Sequence, residues 1–222
     1  MNMNSVPTCR LLWLIILVVC SSQASAQDDF YYPADPDWRF RLNFGFGLWE
    51  SQEDLSAVGP GEFDAGPIVI EIGVDRRVAK WGRSDVYIGL DAGLLTTESD
   101  LPGQYTSPTS DASYVTPSIA IYIGDFDATR FNVRAGVGHY RVEFGEIIDL
   151  TTFNRSFSES AFGSFVGAGI DFPLGAGSGL HSITLDTRVH FVDFGDVTQL
   201  GPTPGRLEGP IWNVQLGWGW RF

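Results

Sequence analysis

Ten charged residues of this chain fall where ion-pair chemistry is implied. Arg39, Arg41, Arg134, Arg188 and Arg221, with Glu71, Asp75, Asp91, Asp171 and Asp186, each lie inside a segment that alternates apolar and polar residues. Each has the same parity as nearby Gly, Asn, Thr or Ser, so in an extended strand all ten point away from the apolar side. The two signs balance, five against five. A charge in a low-dielectric interior is costly unless paired, so the chemistry expected of this set is a structural ion-pair network that plugs an enclosed space. A gated or selective pore is the sharper alternative, and it requires the same network to rearrange.

The three histidines offer less. His190 has the parity of Asp186 and Arg188, so a carboxylate–histidine pair for general-base catalysis is conceivable beside the plainer reading of a hydrogen-bonded interior histidine. His139 and Arg141 fall at the far end of their segment, where both could meet phosphate; Arg donates to it with a two-pronged fork. Ordinary solvation is the plain reading of that pair, and His181 receives no role. No cluster has the ligand spacing of a zinc site, so no metal or cofactor is expected. The Gly-rich run GAGSG (175–179) precedes a strand pattern where a phosphate loop would need a helix.

The elements that must position these residues are eight strands. They are expected at about 38–49, 67–75, 84–95, 114–124, 129–143, 160–172, 181–193 and 211–222. The last, IWNVQLGWGWRF, sets Trp212, Val214, Leu216, Trp218, Trp220 and Phe222 on one face against small and polar residues on the other. An apolar face with nothing to cover it, carrying Trp near its ends, suits a strand whose outer side meets lipid. Pro117 costs the fourth strand a ladder hydrogen bond and points to a bulge or irregular pairing. In the fifth, alternation slips near His139–Val142, which suggests another bulge or an exit from the membrane. The phase of the sixth is ambiguous, since Phe165 would face in and Ser164 out.

Connections of about 50–66, 76–83, 96–113, 125–128, 144–159, 173–180 and 194–210 alternate long and short. That rhythm belongs to membrane barrels with short periplasmic turns and long outer loops, and a soluble sandwich has no reason to keep it. The expected fold is all-β: an eight-stranded antiparallel up-and-down transmembrane β-barrel over 38–222. The first two long loops carry Glu50, Glu53, Asp54, Glu62, Asp64, Glu98, Asp100 and Asp111 with no Lys or Arg. They could hold a divalent cation or a basic partner; a solvated, repulsive surface is the plainer reading, and no spacing matches a calcium loop. The first short turn is basic, with Arg76, Arg77, Lys80 and Arg83 beside Trp81, and suits phospholipid headgroups.

The beginning of the chain reads as a cleaved signal peptide, 1–26: Arg10, the apolar run 11–20, then Ala24-Ser25-Ala26. Lipoprotein processing at Cys20 is the alternative, with Val19 where a small residue is usual. Both cysteines, Cys9 and Cys20, precede the cleavage point. Residues 27–37 are expected as a periplasmic lead-in. A net charge of −13 argues against nucleic acid as a partner.

RVHFVDFG (188–195), a loop, then NVQLGWGWRF (213–222) resemble the last hairpin of the OmpA-like and OmpW-like small outer-membrane barrels of Gram-negative bacteria. The resemblance implies a bacterial outer-membrane location, contact with lipid and lipopolysaccharide (His139 and Arg141 being the candidates), and delivery to the barrel-assembly machinery through the C-terminal strand. It implies a non-enzymatic structural or surface-interaction role with an unspecified extracellular partner. A channel for small solutes or small hydrophobic molecules is the alternative, opposed by the charged inward face. A lipid-modifying enzyme is the third reading; the histidine-x-serine motif of barrel lipid A deacylases is missing at His139, His181 and His190.

Overall fold

In the computed structural model, residues 37–49, 68–98, 109–125, 127–149, 152–174, 180–197 and 205–222 are described. The expected signal peptide, the lead-in up to residue 36 and most of the acidic loop positions lie outside them. Eight strands form one closed antiparallel barrel: β1 (Trp38–Trp49), β2 (Ile68–Trp81), β3 (Ser84–Glu98), β4 (Thr109–Ile123), β5 (Arg130–Asp149), β6 (Thr152–Leu174), β7 (His181–Val197) and β8 (Gly205–Arg221). Each strand pairs with its sequence neighbours, and β1 with β8 closes the ring from Arg39↔Arg221 to Trp49↔Ile211. Closure leaves no free edge around the ring itself, while the outer parts of β5 and β6 pair only with each other.

Period 2 decides what each face does. Outward, Phe44, Ile70, Leu90, Val133, Val166, Leu185 and Leu216 stand exposed on seven of the strands. Inward, the alternate positions are buried and mostly polar, charged or glycine, because eight strands leave an interior that side chains just fill. All ten charged residues singled out above are buried there. Glycine makes the room. A Cβ on Gly73 would lie 2.8 Å from both Arg41 Cζ and Asp91 Oδ1, so a larger residue would displace the ion pairs.

Several expectations are corrected. The connection expected over 144–159 is largely paired strand: β5 and β6 are 20 and 23 residues long and stay partnered to Asp149↔Thr152. A membrane crossing takes only about 9–11 strand residues, so this hairpin runs well beyond any bilayer core. β2 likewise continues to Trp81, with a register shift between Arg77 and Ala79, and turns through Gly82 and Arg83 alone. Gly82 has φ +58°, a left-handed conformation that glycine adopts without steric cost. β4 and β8 also begin earlier than expected, at Thr109 and Gly205.

Pro117 makes no bulge, but the pairing there is irregular as expected: β3 and β4 keep register through Leu90↔Pro117, while β4 and β5 pair up to Val115↔His139 and again from Ser118↔Gly136 in the same register. The slip in β5 is no bulge either. From Val137 on, the outward residues turn polar (His139, Arg141, Glu143) while the inward ones turn apolar (Tyr140, Val142), with the register to both neighbours unchanged through Phe144. β6 keeps one phase, with Phe165 buried inside. The inverted residues close the lumen at the end away from the termini: Val69, Leu95, Ala112, Tyr114, Tyr140, Val142, Val192, Phe194 and Ile211 form one buried apolar cluster.

Candidate functional site: an ion-paired lumen

Charged side chains from all the strands except β4 meet inside the barrel in two layers. In the middle layer Arg41 reaches from β1 to Asp75 (Nε–Oδ2 2.9 Å), Glu71 (3.5 Å) and, in a shorter contact, Asp91. Arg134 of β5 binds both oxygens of Asp75 at 2.8 Å and reaches Asp91 at 3.3 Å. Arg188 of β7 bonds Glu71 at 2.5 Å, and lies 3.8 Å from Asp91 and 4.0 Å from Asp186. Neutral donors complete the set: Tyr114 Oη to Glu71 at 2.6 Å, Ser118 Oγ to Asp91 at 2.6 Å, Asn43 Nδ2 to Glu71 at 3.1 Å and Asn132 Nδ2 to Asp186 at 3.3 Å. Three cations thus serve four carboxylates.

The second layer lies nearer the chain termini. Asp171 of β6 takes Arg39 at 2.5 Å and Arg221 at 2.9 Å, and accepts from Thr184 at 2.7 Å. Arg130 lies 3.7 Å from the same carboxylate and bonds Asp85 at 3.0 Å. Among the described residues, three cations meet two carboxylates here. Arg130 and Asp85 were missed in the sequence reading, although both have the inward parity of their strands; they sit beside turns, where a charge reads as a solvated end. Including them, six buried arginines stand against six buried carboxylates among the described residues. Tyr122 joins the layers: Arg134 donates to its hydroxyl at 3.3 Å, and the Arg39 and Arg130 guanidinium carbons lie 4.6 and 4.8 Å from its ring centre.

His190 does not join Asp186 as a dyad. Its Nδ1 lies 2.9 Å from Tyr140 Oη, its Nε2 lies 3.0 Å from Asn213 Nδ2, and Phe165 stacks on it at 5.4 Å. Both ring nitrogens are occupied by uncharged partners, which leaves none for a substrate proton. Among the described residues, no group of three or more His, Cys, Asp or Glu is placed to hold a metal ion. His139 and Arg141 are exposed on the outer face as expected, His139 edge-on to Phe162 and Arg141 paired with Glu143. His181, given no role in the sequence reading, accepts from Trp218 Nε1 at 3.3 Å and stacks on Trp220. In the C-terminal strand Trp212, Val214, Leu216, Trp218, Trp220 and Phe222 are all exposed outward.

The basic turn is partly spent within the chain. Arg83 grips Asp125 with two hydrogen bonds of 3.0 and 2.6 Å, and Arg77 bonds Asp37 at 3.0 Å. Arg76 lies over the ring of Trp38 at 5.5 Å.

No family model and no curated protein matches the chain. Solved structures do. Neisserial surface protein A superposes with a TM-score of 0.54 at 10% identity, covering 83% of this chain and 97% of that one. Ail, the attachment invasion locus protein of Yersinia pestis, gives 0.50 at 12% identity, with 85% and 99% covered. The likeness is one of fold. At such identities it carries no residue of either protein onto this one, so the functional argument rests on this chain's own faces.

Proposed function

We propose that this chain is a non-enzymatic bacterial outer-membrane β-barrel of the OmpA-like or OmpW-like kind, closed by its own side chains and acting through the end where β5 and β6 project. The observation that carries the reading is the reversal of faces. An apolar exterior surrounds an interior of balanced, paired charges, an arrangement that makes sense when the solvent outside the barrel is hydrocarbon. A lumen blocked by ion pairs and then by a buried aromatic and aliphatic cluster supports a structural or surface-interaction role over conduction. Attachment to an outside partner suits the long β5–β6 hairpin and the acidic segments; that Ail shares this fold supports it by analogy alone.

The remaining assignments follow. The C-terminal strand would be read by the barrel-assembly machinery, and Phe222→Ala should lower insertion in cells without changing refolding in detergent. His139 and Arg141 would face lipopolysaccharide phosphate at the upper rim, with Glu143 as the group the phosphate displaces; the His139→Ala/Arg141→Ala protein should copurify with less lipopolysaccharide. The deciding experiment pairs heat-modifiable gel mobility of the refolded protein with its conductance in a planar bilayer. A mobility shift without steady current is expected. Reproducible current steps would replace this reading with a channel, and unchanged mobility would remove the membrane barrel altogether.

A further inference from the structure

Among the described residues, the β5–β6 hairpin ends in a strand edge that no other strand of the barrel covers. β4 leaves β5 after Ser110↔Phe144, and β7 joins β6 only from Gly163↔Val192, while β5 and β6 stay paired to Asp149↔Thr152. Positions 152–162 of β6 therefore have β5 on one side and, among the described residues, no ladder partner on the other. An edge of this kind is a template for another strand, and proteins that avoid such pairing place lysine or proline along it. Positions 152–162, TFNRSFSESAF, hold neither.

The sequence of the edge selects the strand that fits it. Two copies paired antiparallel share one central position, and the centre of 152–162 is Phe157. Pairing about Phe157 sets Arg155 of each copy opposite Glu159 of the other, and Ser156 opposite Ser158. No other two-fold register brings position 155 to position 159. Opposite charges directly opposed stabilise an antiparallel pair, and like charges destabilise it. The extra residue on the β6 side of the hairpin lies between Thr152 and Arg155, outside the five central positions. The register that uses the whole edge is thus the one that pairs its only two charges.

We infer that this edge binds a second copy of the chain, the two β6 strands adding to each other antiparallel about Phe157. Symmetry fixes how the copies stand. A two-fold axis that pairs strands antiparallel is perpendicular to the sheet, so it turns the second barrel end over end. Two barrels joined this way cannot share a membrane; they stand in facing membranes, outer end to outer end. The inference rests on the outer-membrane reading above and deepens it. The outside partner of the hairpin is the same protein on a neighbouring surface, and the activity is self-adhesion.

Single barrels in phosphatidylcholine nanodiscs, which leave both membrane faces open, test this. The wild type should pair with rising concentration in sedimentation, and electron micrographs should show the discs face to face. Arg155→Glu alone and Glu159→Arg alone each oppose like charges twice, and each should raise the Kd about tenfold. An equal mixture of the two variants restores both opposite-charge pairs and should associate as tightly as the wild type. Single discs at every concentration, discs side by side, or a mixture no tighter than its components would overturn the inference. Heat-modifiable mobility of the same samples separates the two levels. With the mobility shift present, a failure to pair counts against self-adhesion alone; without it, the membrane barrel and the inference fall together.

Discussion

Arg134 on β5 and Asp75 on β2 are joined by two parallel hydrogen bonds of 2.8 Å, although three strand positions separate them around the ring. Two buried groups that far apart on the sheet can meet only through the lumen, so this fork is a crossbar. Because Arg134 also touches Asp91, Ser118 and Tyr122, it is the most connected cation of the middle layer. Breaking a buried pair by removing one partner costs about 3–5 kcal/mol, since the other charge is left alone. Arg134→Ala should therefore lower unfolding stability in detergent by about that much. Arg134→Lys should recover only part of it, because an ammonium keeps the charge and loses the fork. An unchanged urea midpoint for Arg134→Ala would show the crossbar to be idle.

Tyr114 supplies Glu71 with a neutral donor at 2.6 Å, on the oxygen that also faces Arg188. Tyr114→Phe keeps the ring stacked on Tyr140 and removes only the hydroxyl. The expected loss is about 1.5–3 kcal/mol, the range for a hydrogen bond to a charged acceptor. Denaturant titrations of the two proteins in one detergent would read it.

Glycine spacing gives a prediction that involves no charge change. A Cβ on Gly89 would overlap the Asp75 carboxylate, with its carboxyl carbon 3.1 Å away. Gly89→Ala should cost about 1–3 kcal/mol through forced repacking. Combined with Arg134→Ala it should cost less than the sum of the two, since both act on Asp75. Strict additivity in that double-mutant cycle would place the strain elsewhere.

The outer face separates a lipid-facing surface from a soluble one. Leu216, half-way along the apolar run of β8, is exposed, as is Val78 at the short-turn end of β2. In a bilayer, Leu216→Arg should cost about 2–4 kcal/mol and Val78→Arg about 0–1. Equal costs in lipid vesicles would contradict the immersion of β8.

How far the sequence reached follows from the solvents on either side of the strands. Within the apolar belt every side chain takes the face its parity gives, Phe165 and Ser164 included, because one misplaced register would move a whole set of charges into the outer face. The ends were less legible. Beyond Val137 the outward side turns to water and the lumen is filled by Tyr140 and Val142, so the alternation reverses sign. A reversal without a register shift looks, in sequence, like a bulge. The long β5–β6 extension failed for the same reason, having no apolar side to mark it as strand. The cross-lumen partners of each arginine were not legible at all, since pairing across a ring depends on side-chain reach and shear, which parity does not encode.

That reversal of sign also works as a waterline. Sliding the barrel inward by two residues would drag Arg141 and Glu143 into hydrocarbon, while sliding it outward would leave Val137 and Phe191 in water. The displacement is opposed on β4 as well, where exposed Ser113 pairs with Arg141. In a bilayer the described strands would thus set the barrel's draught, and with it the height at which the β5–β6 hairpin stands clear of the surface.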